Sequence, residues 1–210
     1  MAIAAAERDP SVANVLRWLG ALFLTSGAAA LIYQVAWQRL LFQAFGADIE
    51  SVTIIVSAFM LGLGCGALAG GQVADRFPER ALLLFAVLEL ATGAFGFCSP
   101  FLIRAASTVA VNGSLAEIAA VNFLLLLLPT TLMGATLPIL VAHVVRRHRS
   151  VGVSIGTLYF ANTIGAALGA GVAGFLALYF VGLRATIQMA ALLNVAVSAA
   201  AFLVFRGRRG

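Results

Sequence analysis

The sequence predicts an all-α integral membrane protein: six transmembrane helices built as two inverted three-helix repeats. Three observations predict it. The chain carries six apolar stretches, each long enough to cross a bilayer. Its composition is 62% hydrophobic and 10% charged, with a mean hydropathy of +1.06. Its second half also repeats features of its first. No soluble fold of 210 residues has interior enough to hide that much apolar surface, whereas a bilayer accepts it.

A transmembrane helix needs roughly 20 mostly apolar residues. On that basis the spans fall at Val15–Trp37, Ser51–Ala74, Ala81–Pro100, Ala119–Val145, Val151–Leu178 and Ala185–Phe205. The polar and glycine-bearing punctuation agrees with them. Gly46-Ala47-Asp48-Ile49-Glu50 parts the first span from the second, and Asp75 to Arg80 parts the second from the third. Arg146-Arg147-His148-Arg149 and Val181-Gly182-Leu183-Arg184 close the fourth and fifth. Phe101–Glu117 reads either as an interfacial helix or as an extension of the third span. The whole chain, 1–210, is one transmembrane domain, with repeats at about 15–100 and about 119–205.

Every basic residue is arginine, and an even number of spans leaves both termini on one side. That side carries 10 of the 13 arginines; Arg39, Arg104 and Arg184 make up the other. The positive-inside bias then puts both termini in the cytoplasm, as expected for a multi-pass protein of a bacterial inner membrane. The net charge of +5 is accounted for by anionic headgroups and calls for no nucleic acid. Met1–Pro10 carries Glu7 and Asp9, and no small-residue cleavage site follows the first apolar run, so that run reads as a retained span. Cys65 and Cys98 lie at different depths and show no metal-ligand spacing.

The repeat shows in the glycines. Gly62, Gly66 and Gly70 stand four apart in span two; Gly165, Gly169 and Ala173 do the same in span five, 103 residues on. Ser51 meets Ser154 at that offset. With a residue or two of drift, Arg80 meets Arg184 and Glu89 meets Asn194. Three spans is an odd number, so the two units have opposite topology in the membrane. That is the construction found within each half of major facilitator transporters.

Gly71-Gln72-Val73-Ala74-Asp75-Arg76-Phe77-Pro78-Glu79-Arg80 resembles the cytoplasmic loop signature of those transporters. In it Gly71 permits close helix approach, while Asp75, Arg76 and Arg80 would latch one conformation shut. Pro78 and Glu79 depart from the pattern, and a plain charged turn is the competing reading. Gly62-Leu63-Gly64-Cys65-Gly66 imitates a nucleotide-binding turn but lies in mid-span, without the strand and solvent such a turn needs. Small residues at every fourth position instead make Gly62, Gly66, Gly70, Gly165 and Gly169 a helix-packing face.

Glu89 is the acid expected deep in the bilayer, where an ionisable group is costly and faces the bundle interior or water. It reads either as a proton or cation site or as a structural carboxyl. Gln34 and Arg39 end span one, Arg39 snorkelling outward or pairing with Glu89 or Asp48. Tyr159, Asn162 and Thr163 open span five, and Asn122 and Asn194 sit in spans four and six. Glu89, Gln34, Tyr159, Asn162 and Asn194 are the candidate binding set. Interhelical hydrogen bonding, about 1 kcal/mol each or less, is the competing role for the amides and hydroxyls. Pro129 and Pro138, with Gly134 between them, are expected to kink or open span four. No Ser/His/Asp or Cys/His set, carboxylate pair or metal cluster suggests catalysis. No cofactor or metal is expected.

The runs Ser26 to Leu40, Ser51-Val52-Thr53, Phe59 to Gly62, Ala74-Asp75-Arg76, Leu88-Glu89-Leu90, Pro129 to Pro138 and Leu158 to Ala166 together resemble one family. It is the membrane domain of bacterial fused major-facilitator/spermidine-synthase-like proteins. The resemblance covers about Leu19 to Arg184, and the phrases ending in Tyr33-Gln34 and Asn162-Thr163 are its more specific parts. In that family the membrane part is usually followed by a soluble aminopropyltransferase-like domain. The present chain ends at Arg206-Gly207-Arg208-Arg209-Gly210, which reads as a stand-alone version or one lacking that domain. The residues that bind the family's nucleoside cofactor are not among these, so its enzymology does not carry over. The resemblance implies polyamine or another cation as ligand.

The expected protein is a small major-facilitator-like transporter for a polar or cationic solute. Six helices make half of the usual enclosing wall, so a homodimer in the lipid bilayer is expected. The competing reading is a membrane anchor or substrate-channelling module acting with a soluble synthase-like domain or partner.

Overall fold

The computed structural model of the chain describes residues 10–45, 48–109, 115–148 and 151–207. Six long helices make up nearly all of it: α1 (Pro10–Phe45), α2 (Asp48–Arg76), α3 (Ala81–Val109), α4 (Leu115–His148), α5 (Val151–Gly171) and α6 (Gly182–Gly207). A short 3-10 turn, Pro78–Arg80, joins α2 to α3. Beyond Gly171 the α5 axis continues through a wider π-helical turn, Val172–Ala177, and ends at Leu178–Phe180. Gly182, at φ +81°, turns the chain into α6, a conformation that only glycine adopts without steric cost.

Six helices are long and apolar enough to cross a membrane, over Asn14–Gln43, Val52–Arg76, Pro78–Ala106, Ala119–Arg146, Gly152–Phe180 and Gly182–Arg206. Helices suit this setting because every mid-span N–H and C=O is satisfied within its own segment. The third helix passes straight through Pro100, so Phe101–Val109 extends it, while Leu115–Glu117 already belongs to α4 and residues 110–114 lie outside the described ones. Pro100 lacks the N–H that would bond the Gly96 carbonyl, and the Ser99 hydroxyl donates to that carbonyl instead, at 2.9 Å.

The expected opening of span four is not found. The α4 helix runs unbroken through Pro129 and Pro138. Hydroxyls add bonds along this stretch, Thr130 donating to the Leu126 carbonyl at 2.9 Å, Thr131 to Leu127 at 2.7 Å and Thr136 to Met133 at 2.6 Å. The carbonyls that lose their N–H donor to Pro129 and Pro138 are those of Leu125 and Gly134. The irregular span among the described residues is α5, which contains no proline.

The helices pair across the two halves of the sequence. The α2 helix packs along α4, α5 along α1, and α3 along α6; α3 also meets α4, and α1 meets α6. Glycine sets the closest approaches. A Cβ on Gly66 would run into the Thr131 carbonyl, and one on Gly169 into the Ala28 carbonyl. Gly62 abuts Thr130, Gly70 abuts Ala135, and Gly165 abuts Leu24. The buried core divides into two apolar clusters. One contains Tyr33, Trp37, Phe59 and Ile103; the other contains Phe23, Leu82, Phe85 and Ile139.

Candidate functional site

Between those two clusters, at mid-span, lies a polar layer. Each of the three helices α1, α3 and α6 contributes one member: Ser26, Glu89 and Asn194. Along α1, Ser26 falls between Phe23 of one cluster and Ala29 of the other; along α6, Asn194 falls between Ala191 and Val197. All three are buried, Glu89 to 1% exposure.

The carboxyl group of Glu89 is held at both oxygens. The Ser26 hydroxyl donates to Oε1 at 2.5 Å and the Asn194 amide Nδ2 donates to Oε2 at 2.6 Å. The Asn194 Oδ1 atom is buried and has no hydrogen-bond partner among the described residues. One turn along α6, Ser198 donates to the Ala86 carbonyl at 2.6 Å. No arginine lies within ion-pair distance of Glu89 among the described residues; Arg146 pairs instead with Glu79, at 3.5 Å. The layer therefore offers a buried carboxyl group with no cation beside it among the described residues.

An aromatic column adjoins the layer. Tyr33 stacks on Trp37 with ring centroids 4.6 Å apart, and Phe95 meets Trp37 edge-on at 5.8 Å. The Trp37 indole N–H donates to Ser99 at 2.8 Å. Gly96 leaves the space that the end of the Tyr33 ring occupies, since a Cβ there would lie 2.5 Å from its Cζ.

Of the candidate binding residues, the structure brings Glu89 and Asn194 together. Gln34 is half-buried on α1 and makes no recorded bond to them. Asn162 lies at the α5–α1 contact, where its amide donates to the Phe23 carbonyl at 3.3 Å and its backbone abuts Gly27. Tyr159 is 61% exposed on the outer face of α5 and is not part of the layer. Arg39 is exposed and does not pair with Glu89, whose oxygens are occupied by Ser26 and Asn194. Gly71 has open space around it, and Asp75, Arg76 and Arg80 are exposed; Arg76 lies over the Phe77 ring at 5.8 Å.

From the sequence Ser26 stands out only as the first residue of a family-like run, and neither it nor Ser198 is a candidate site residue there. A serine in an apolar helix carries no periodic signal, because its hydroxyl can bond its own backbone. Only the position of Ser26 opposite α3 makes it a partner for Glu89.

No family model matches the chain, and no solved structure matches it. Over 198 residues, 90% of the chain, it is 28% identical to a polyamine aminopropyltransferase of Corynebacterium efficiens. The aligned stretch is 36% of that protein, so the chain spans little more than a third of this relative's length.

Proposed function

We propose that this chain is a small transporter-like membrane protein, half of a major facilitator bundle, that admits a cationic solute of the polyamine class to Glu89. The observation that carries the reading is the mid-span carboxyl of Glu89, held by Ser26 and Asn194 and without a basic partner among the described residues. A carboxyl group at that depth costs several kcal/mol unless it is neutral, paired or solvated. Coupling-ion and substrate sites of transporters built from inverted repeats lie at this depth, on the interface between repeats.

The inverted repeat is part of the proposal. Exchanging α1, α2 and α3 for α4, α5 and α6 converts the α2–α4 interface into α5–α1, α3–α4 into α6–α1, and leaves α3–α6 as itself. Individual contacts follow. Gly66 against Thr131 corresponds to Gly169 against Ala28, and Ser198 against Ala86 corresponds to Gly93 against Ala191. The proposal places the termini in the cytoplasm of a bacterium and completes the transport pathway with a second copy of the chain. In it Gly71, Asp75, Arg76 and Arg80 form a latch between conformations.

Flux in proteoliposomes tests this reading, using putrescine, spermidine and neutral amino acids with and without a pH gradient. Polyamine uptake that Glu89→Gln abolishes supports it. No uptake of any of these supports the second reading, a membrane anchor or substrate-channelling module for a synthase-like enzyme. The similarity to roughly a third of a polyamine aminopropyltransferase favours that second reading.

A further inference from the structure

The two halves of the chain do not keep one register. Gly66 against Thr131 answers to Gly169 against Ala28, an offset of 103 on both helices. At the helix ends the offset has grown. The α2 helix stops at Arg76 and the α5 axis at Phe180, an offset of 104 that Arg80 and Arg184 share. One extra residue therefore enters the second half between Gly169 and Phe180. The backbone irregularity lies in that interval: Val172–Ala177 forms a π-helical turn, while its counterpart in α2, residues 69–74, is regular α-helix. A single-turn π bulge is how a helix takes up one added residue, swelling one turn while the helix on either side keeps its packing.

From this turn onward the chain is held lightly. Within Val172–Ala177 the buried side chains are those of Ala173 and Ala177. Phe175, Tyr179 and Phe180 are exposed. Gly171 and Gly174 have open space where a Cβ would stand, and Gly182, at φ +81°, closes the segment. Short buried side chains, with glycine at both ends, leave a segment that little packing fixes. Its last residues wall a cavity of about 530 Å³, lined by Gly174, Leu178 and Tyr179 on the α5 side and by Arg39 and Gln43 of α1.

We propose that the π turn of α5 is a one-residue insertion in the second repeat and the hinge on which Leu178–Phe180 swings over this cavity. The insertion rests on the inverted repeat proposed above. Residues 69–74 of α2 contain no such turn, so the hinge belongs to one end of the bundle, where α1 finishes and α6 begins. A π turn suits this setting. Its N–H groups can pass between carbonyls five and four residues back without being left bare, which in a bilayer would cost several kcal/mol each. The segment beyond it rotates while its backbone stays paired.

Two measurements on the full chain in phosphatidylcholine nanodiscs test it. Deleting Gly174 should convert the turn to regular α-helix with both flanks in register, so the protein should elute as one species with its Tm unchanged. Deleting Gly64 from the regular α2 helix turns one flank by about 100° against the other, carries Gly66 and Gly70 off α4, and should abolish folding. The second measurement is pulsed-EPR distance between spin labels in a Cys65→Ala/Cys98→Ala background. Labels at Gln43→Cys and Tyr179→Cys should give two distances in the parent and one once Gly174 is deleted. Labels at Gln43→Cys and Leu168→Cys, which precedes the turn, should give one distance in both. Loss of folding on deleting Gly174, or the same distribution for the Tyr179 pair with and without it, overturns the hinge. Neither readout is flux, so failure here leaves the Glu89 reading standing, and absence of polyamine flux leaves the hinge standing.

Discussion

Asn194 of α6 donates a hydrogen bond to Glu89 of α3 at 2.6 Å, and in the proposed repeat these two residues are each other's counterparts. In the proposed inverted repeat, a residue on an interface that the exchange of halves maps onto itself can meet its own counterpart, and α3–α6 is such an interface. The pair therefore joins the candidate chemistry to the proposed symmetry.

Replacing Glu89 separates its roles. Glu89→Leu leaves the Ser26 hydroxyl and the Asn194 amide buried without their acceptor, each costing about 1–3 kcal/mol. Thermal unfolding in detergent should show a clear fall in Tm. Glu89→Gln keeps the size and an acceptor oxygen, so its Tm should move little while any pH-coupled polyamine flux disappears. Unchanged flux in the Gln variant removes Glu89 from the mechanism.

Glycines on α2 should divide sharply by the face they occupy. Gly66→Leu forces apart the α2–α4 contact at the Thr131 carbonyl and should destabilise the bundle by more than the 1–3 kcal/mol typical of an overpacked core, because backbone rather than side chain must move. Gly64→Leu, with nothing within 4 Å, should be tolerated. Fluorescence-detected elution after graded heating compares the two; equal tolerance would count against the packing role.

Gly96→Ala should disturb the aromatic column. The added methyl meets the Tyr33 ring and pushes it off Trp37, with an expected loss of about 1–3 kcal/mol. Combined with Tyr33→Ala the loss should be less than additive, since the group that clashes is gone. Strict additivity in the double-mutant cycle would mean the two side chains do not interact.

The charged turn should contribute little to stability. Arg146 and Glu79 pair at 3.5 Å but are 56% and 92% exposed, so Glu79→Gln should change Tm by no more than an exposed pair warrants. A large fall in Tm would show that the turn holds the bundle together.

Orientation is checked by labelling in a Cys65→Ala/Cys98→Ala background. His148→Cys should react with a membrane-impermeant maleimide only from the cytoplasmic side, and Asp48→Cys only from outside. The reverse pattern would overturn the topology drawn from the arginine count.

The sequence by itself determined the class of molecule and the number of spans. Apolar runs of bilayer length leave a chain no other way to satisfy its backbone, and the spans read from them differ from the helices mainly at their ends. It also marked Glu89, because an acid surrounded by Leu88, Leu90 and Ala91 is conspicuous wherever the helix lies. Tertiary structure decided the rest. Tyr159 and Asn162 are one turn apart, yet packing against α1 half-buries Asn162 and leaves Tyr159 on the outer face. Periodicity cannot tell those faces apart, because in a membrane the lipid-facing and core-facing sides of a helix are equally apolar. The same ambiguity concealed the role of Ser26, which meets Glu89 only because α1 packs near α3. Which polar groups meet is a property of helix pairing, and pairing depends on contacts that no single span contains.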